Sequence, residues 1–243
     1  MQDVAVCIPA KDEADRIAAT VKAAQELPGA DLVVVIDDGS SDGTGRVARE
    51  AGARVVRHSR NRGKGAAMES GAEAVRLLDE GRDRPRHLLF LDADLAETAR
   101  EAAPLVEPVR SGEADMTIAV FTTTVKLGGH GFVVRLSRDG IRRATGWEAT
   151  APLNGQRCLT RAAFDAALPL AAGFGVETAL TVDLLRAGFR VAEVEVPLSH
   201  RATGTDWRSQ LHRARQFRDV ARALAVREPA VTRGLDRLRG SRP

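Results

Sequence analysis

Short runs of consecutive apolar residues alternate with stretches of helical period over the first 120 residues of the chain. Val4–Ile8, Leu32–Ile36, Arg54–Arg57, His87–Leu91 and Met116–Val120 read as strands. Between them Ala14–Leu27, Asp42–Ala51, Ala66–Glu80 and Thr98–Ser111 repeat their apolar positions at helical spacing. The runs "LVVVI" and "LLFL" do not alternate with polar residues, so these strands are expected to be covered on both faces. That pattern predicts an α/β fold, a mainly parallel central sheet flanked by helices in a single domain.

The second half is less regular. Thr122–Gly131, "TTTVKLGGHG", is expected to be a mobile loop, followed by a helix over Phe132–Thr145 and a turn around Pro152–Gly155. Helices over Thr160–Ala167 and Val176–Ala187 and a last strand over Arg190–Val196 complete the domain. Trp207, Leu211, Ala214, Phe217, Ala221 and Leu224 then recur at helical spacing, with Arg208, Arg215, Arg218 and Arg222 mostly elsewhere on the wheel. Pro229 is expected to begin a frayed tail over 229–243.

Charge changes this picture at one place. The net charge of +3 conceals a segment from His200 onward with 11 arginines against 4 acidic residues. It calls for an anionic partner, phosphates or a membrane surface, or else is a solvated helix in an arginine-rich chain. Cys7 and Cys158 lie far apart inside apolar patterns, which predicts no disulfide and a reducing, cytoplasmic setting. The N-terminal "MQDVAVCIPAKDE" has no basic region followed by a long apolar run, so no signal peptide is expected. The longest aliphatic run, Leu32–Ile36, is too short to span a bilayer.

The candidate chemistry gathers where strands end, the edge at which open α/β sheets collect ligands. In "IDDGSSDGT", Asp37 and Asp38 end a strand before a glycine turn; a carboxylate there can accept from a nucleobase N–H or ribose hydroxyls, or the motif is a capped turn. In "PAKDEADRI", Asp12 and Glu13 face a ligand or favour a helix N-terminus. "RNRGKGAAMESG" puts Lys64 between two glycines before a helix, which suits phosphate, although the P-loop spacing is absent. Asp92 and Asp94 in "LLFLDADL" turn to one side of an extended chain, where two carboxylates repel unless a cation lies between them. Mg²⁺ or Mn²⁺ sharing its shell with substrate phosphates fits such a pair. His200 after "VEVPLS" would be a further ligand and would favour Mn²⁺.

In this order "PAKDE", "DDGSSDGT", "GKGAAMESG", "LDADL", "LNGQRCLTR", "GFGVETAL" and a late "HR" resemble the GT-A-fold glycosyltransferases, the group that contains the family 2 enzymes. The resemblance covers residues 4–225, with a first half similar to polyprenyl-phosphate sugar synthases and a second half similar to retaining glucosyl-3-phosphoglycerate synthases. It implies a GT-A domain over 1–228, with a nucleotide-binding half (1–120) and an acceptor half carrying the basic helix (121–228). It also implies a sugar moved from a UDP- or GDP-linked donor to an acceptor, such as a phosphate-bearing small molecule or polyprenyl phosphate, with Mg²⁺ or Mn²⁺.

On matching positions Pro9, Ala10 and Glu13 would line the nucleotide pocket and Asp38 would lie near base or ribose. Lys64 would meet the diphosphate, and Asp92, with Ala93 beside it, would contact ribose or a metal water. Asp94 and His200 would bind the metal, Glu177 would face donor sugar or acceptor, and Arg201 would hold a phosphate. Two departures stand out. Asp38 replaces the serine of the synthases' D-S-G-S turn, and "GGHGFVVRLSRDG" does not match their acceptor segment.

Two other functions are weighed against transfer. A sugar nucleotidyltransferase would need a G-x-G-x-R loop after the first strand, which is missing. A non-catalytic nucleotide-sugar-binding or membrane-docking module would not need Asp92, Asp94, Lys64 and His200 together. Peripheral contact of the basic helix with an anionic membrane, at the inner face, and homodimerisation are the associations entertained; nucleic acid is not expected as a partner.

Overall fold

The computed structural model describes residues 3–122, 131–198 and 207–227, with side chains of the last segment described from Ala214 onward. The expected loop over Thr122–Gly131, the tail over 229–243, and His200 and Arg201 fall outside the described residues, Thr122 and Gly131 excepted.

Seven strands form one sheet: β1 (Val4–Ala10), β2 (Ala30–Asp37), β3 (Arg54–Arg57), β4 (His87–Phe90), β5 (Met116–Phe121), β6 (Arg157–Leu159) and β7 (Val191–Val196). Their spatial order is β3-β2-β1-β4-β6-β5-β7. All neighbours pair parallel except β6, which runs antiparallel to β4 and β5. The helices are α1 (Ile17–Gln25), α2 (Thr44–Glu50), α3 (Lys64–Leu78), α4 (Glu107–Arg110), α5 (Gly131–Thr145), α6 (Arg161–Ala166), α7 (Val176–Arg186) and α8 (Trp207–Val226).

The side-chain alternation of β1 explains why its apolar run is unbroken. Val4, Val6, Ile8 and Ala10 enter one core with Ile17 and Val21 of α1, while Ala5 and Cys7 enter the opposite core with Met68 and Val75 of α3. A third cluster joins Val133 and Ile141 of α5, Val182 of α7, and Val220 and Leu224 of α8. Cys7 and Cys158 belong to opposite faces, and burial pushes each thiol up to about 12, so the expected absence of a disulfide holds.

Three local expectations are corrected. The helix expected over Thr98–Ser111 is a 3₁₀ segment over Ala96–Leu105 followed by the one-turn α4. Pro104 lacks the N–H of a regular α-turn, and in an α-helix its ring would crowd the carbonyl four residues earlier. Strand β6 was not expected at all, because three residues after a turn carry no usable period. Among the described side chains of α8, Leu224 of the expected apolar stripe is buried, with Val220 and Ala223, whereas Phe217 of that stripe is 47% exposed.

Candidate active site

Chain turns at the carboxyl ends of β1, β2 and β4 are locked to one another before any ligand is considered. After β1, Asp12 adopts a left-handed conformation (φ 54°), and its N–H donates to Ser40 Oγ at 3.0 Å. Glu13 N–H donates to Thr44 Oγ1 at 2.9 Å, and Ser41 N–H returns a bond to Asp12 Oδ1 at 2.8 Å. After β4, Thr20 of α1 donates to Ala93 O at 2.8 Å and accepts from Ala96 N–H at 2.9 Å, while Arg16 donates to Asp94 O at 3.1 Å. The "DAD" turn is thus held from behind by α1.

Asp38 lies at the cleft, but its carboxylate is engaged by the chain itself. It accepts from the N–H groups of Arg62 (2.8 Å) and Gly63 (2.9 Å), and His58 Nδ1 stands at 2.7 Å. These bonds fix the loop that delivers Lys64. Gly39 permits the approach: its φ is +73°, and a Cβ there would stand 2.6 Å from the Arg60 carbonyl carbon.

A cleft of about 400 Å³ opens above these turns. Pro9, Ala10, Asp38, Lys64, Asp92 and Glu177, all singled out from the sequence, contribute to its walls. Glu13, Ala93 and Asp94 do not line it; Asp94 follows on the turn beside it. Lys11, Asn61, Ala67, Gly173 and Phe174 line it without having been singled out. Phe174, 38% exposed between two glycines of "GFG", was the most accessible missed signal, an apolar ring where a loop is otherwise small.

At the cleft floor Lys64 Nζ donates to Asp92 Oδ1 at 2.7 Å and lies 3.2 Å from Glu177 Oε1. Burial disfavours the ammonium, but Asp92 and Glu177 outweigh that cost and hold its pKa well above the ordinary lysine value. Three groups, from α3, the turn after β4 and α7, therefore form one charged cluster. Glu177 stands in the first turn of α7 and is 8% exposed. The backbone of Gly155 closes the cluster from the side, where a Cβ would come 2.2 Å from Lys64 Nζ.

Beneath Glu177 lies Arg157, fully buried and absent from the residues singled out above. An arginine just ahead of the apolar pair in "GQRCL" was the available signal, since arginine is almost never fully buried without a specific partner.

The donor set suits a hard divalent cation. Among the described residues no group of three or more His, Cys, Asp or Glu gathers, so Asp92 and Asp94 would leave most of a coordination shell to other oxygens. That is the pattern of Mg²⁺ or Mn²⁺ sharing ligands with substrate phosphates.

An open, mainly parallel sheet with acidic turns and a lysine at its carboxyl edge is an α/β domain whose ligand crevice lies at that edge. The pattern of glycosyl transferase family 2 matches residues 5–165, and the chain belongs to that family. It is 31% identical over 212 residues to glycosyltransferase AglJ of Haloferax volcanii, covering 83% of this chain and 65% of AglJ. It is 29% identical over 203 residues to glucosyl-3-phosphoglycerate synthase of Mycolicibacterium paratuberculosis, covering 74% of this chain and 59% of that enzyme. The chain thus spans less than two thirds of these curated relatives. The crystal structure of glucosyl-3-phosphoglycerate synthase from Mycobacterium tuberculosis, in complex with Mn²⁺, UDP-glucose and phosphoglyceric acid, superposes with a TM-score of 0.73 at 26% identity. That match covers 93% of this chain and 79% of the other and establishes the GT-A fold.

Proposed function

We propose that the protein moves a sugar from a UDP- or GDP-linked donor to an acceptor, a phosphate-bearing small molecule or polyprenyl phosphate. The observation that carries this reading is the Lys64–Asp92–Glu177 cluster in a cleft at the carboxyl edge of the sheet. The division into a nucleotide-binding half (1–120) and an acceptor half (121–228) follows the same reading, with the donor in the cleft between Pro9, Asp38 and Lys64.

In the transfer, an acceptor oxygen bonds to the anomeric carbon as the bond to the diphosphate oxygen breaks. Negative charge develops on the departing nucleoside diphosphate, and Lys64 supplies a fixed ammonium to receive it. Its two carboxylate partners hold that ammonium in place before the donor arrives. Asp92 and Asp94, with His200, would hold the divalent cation. When bound, Mg²⁺ or Mn²⁺ supplies Lewis-acid neutralisation of the diphosphate. Glu177 orients the sugar or takes the acceptor proton; an ionised phosphate acceptor asks little of a base. Arg201 would hold a phosphate.

A thermal-shift screen of UDP-, GDP- and dTDP-sugars, each with Mg²⁺ or Mn²⁺, tests the reading. Stabilisation of about 2–4 kcal/mol is expected at ligand concentrations far above the dissociation constant. Asp94→Ala should abolish metal-dependent donor hydrolysis; no shift with any nucleotide sinks the proposal.

Peripheral contact with an anionic membrane at the inner face belongs to the same reading. Among the described residues no helix is long and apolar enough to cross a membrane. Helix α8 packs on the domain through Val220, Ala223 and Leu224, yet leaves Phe217 and the flanking Arg215, Arg218 and Arg222 outward. An outward aromatic among arginines suits an anionic interface. Flotation with vesicles containing anionic lipid, but not with neutral ones, is the expected result; equal binding to both would count against it.

A further inference from the structure

The cleft cluster takes its three charged groups from three separate elements, and something must set their spacing. Arg157 on β6 is the largest fully buried side chain among the described residues. Its guanidinium spans two pieces of the site. On one side Nε donates to Asn154 O at 2.8 Å and Nη2 to Pro152 O at 3.3 Å. On the other, Nη1 donates to Glu177 O at 3.0 Å and Thr181 Oγ1 at 2.9 Å. The hydrogen-bonded acceptors are two turn carbonyls, the carbonyl of Glu177, a hydroxyl and, at 3.9 Å, the thioether sulfur of Met116; none is a carboxylate.

Such a charge is costly to bury. Burial pulls the arginine down to about 10, and Glu177 and Glu193, acting at a distance, only partly restore it. If the site needed only apolar filling under α7, a methionine or leucine would serve at lower cost. What an apolar side chain cannot do is fasten the 152–155 turn to the first turn of α7. Both flank the same ammonium. Gly155 stands so close to Lys64 Nζ and Asp92 Oδ1 that an added Cβ would come within 2.2 and 3.2 Å of them, and Glu177 Oε1 approaches Lys64 at 3.2 Å.

We propose that Arg157 is a positioning residue for the active site, a clasp that fixes Glu177 and the Gly155 turn relative to each other. It thereby keeps Lys64 in contact with Asp92 and Glu177 at once. Arg157 touches no substrate; it acts through Glu177 and Gly155. The role rests on the glycosyl-transfer reading only in calling this site active, since the clasp itself is geometric.

The test uses Arg157→Lys, which keeps the charge but cannot reach both partners, and Arg157→Met, which keeps bulk without charge. Crystal structures of either variant should show the sheet unchanged, the 152–155 turn displaced, and Lys64 Nζ beyond ion-pair distance of Glu177. Turnover of the donor that stabilises the wild type should fall roughly tenfold or more in kcat, with donor KM within about twofold. In a Glu177→Gln background the same Arg157 substitution should lower kcat far less, because the group it positions is already lost. A merely structural arginine would lower stability equally in both backgrounds and leave no such coupling. Variant crystals in which Lys64, Asp92 and Glu177 superpose on the wild type overturn the proposal. If wild-type protein turns over no nucleotide sugar, the glycosyl-transfer reading fails while the crystallographic result still decides the clasp.

Discussion

Gly155 shows how a single missing side chain shapes the site. Its backbone does not need a glycine's conformational freedom; the space does, because a Cβ would meet Lys64 Nζ at 2.2 Å. The obstructed atom is the far end of a flexible lysine, so Gly155→Ala should push the ammonium aside and leave the fold intact. The expected outcome is a melting temperature within a few degrees of wild type and at least about a tenfold loss of donor turnover, in line with losing one preorganised electrostatic contact. Gly39→Ala should behave oppositely. There the added carbon meets the Arg60 backbone at 2.6 Å and φ is +73°, so chemical denaturation should register destabilisation of about 2–4 kcal/mol. Lys64, Asp92 and Glu177 were legible in the sequence because charged residues beside strand ends and glycines stand out from the apolar pattern. Gly155 and Arg157 were not, since their importance lies in what they touch from elsewhere in the chain. Asp38 falls between these cases: a carboxylate at a strand end was visible, but its commitment to Arg62, Gly63 and His58 depends on residues 20 to 25 positions further along the chain.

Elements were legible in proportion to how completely burial wrote itself into consecutive residues. β1, β2 and β4 sit inside the sheet with both faces covered, and their apolar runs mark them within three residues of the observed ends. β6 also sits inside the sheet, between β4 and β5, yet it is three residues long and opens with an arginine. Helix α8 is a helix as expected, but which face it buries depends on α5 and α7: among its described side chains Leu224 of the expected stripe is buried, while Phe217 gives way to Val220 and Ala223. At the opposite edge of the sheet, the elements are tied by Arg86, which is 8% exposed. It donates to both oxygens of Asp31 in β2, each at 2.7 Å, and pairs with Asp79 just past α3. Arg86→Ala would leave two carboxylates short of their main cation, with Arg82 able to compensate only in part from 3.6 Å (Asp31) and 3.9 Å (Asp79). A loss of about 1–3 kcal/mol is expected in urea unfolding, seen as a lower midpoint at unchanged slope. Full stability in the variant would show that these pairs are ornamental.

Across the whole molecule, charge is distributed so that titration loosens the fold from a point remote from the cleft. His87 opens β4, is buried, and its Nδ1 has no hydrogen-bond partner among the described residues. Burial first, and the nearby Arg110 second, hold its pKa below the ordinary 6.5. The folded protein thus keeps this imidazole neutral, whereas the unfolded chain protonates it near its ordinary value. Stability contributed by the neutral ring is complete above about pH 6.5 and is lost progressively as pH falls from there toward the lowered folded pKa. The carboxylates held low by arginines act elsewhere: Asp115, bonded by Arg190, and Asp31, where Arg86 and Arg82 overcome the cost of burial, lose their contribution only below 3.8. A decline of melting temperature between about pH 7.5 and 5.5 therefore reports on histidine and not on these acids. In His87→Gln, which cannot take up a proton, that decline should be markedly shallower, while the collapse at lower pH, governed by the acids, should be retained. Equal declines in variant and wild type would remove His87 from the account and place the sensitivity on another histidine.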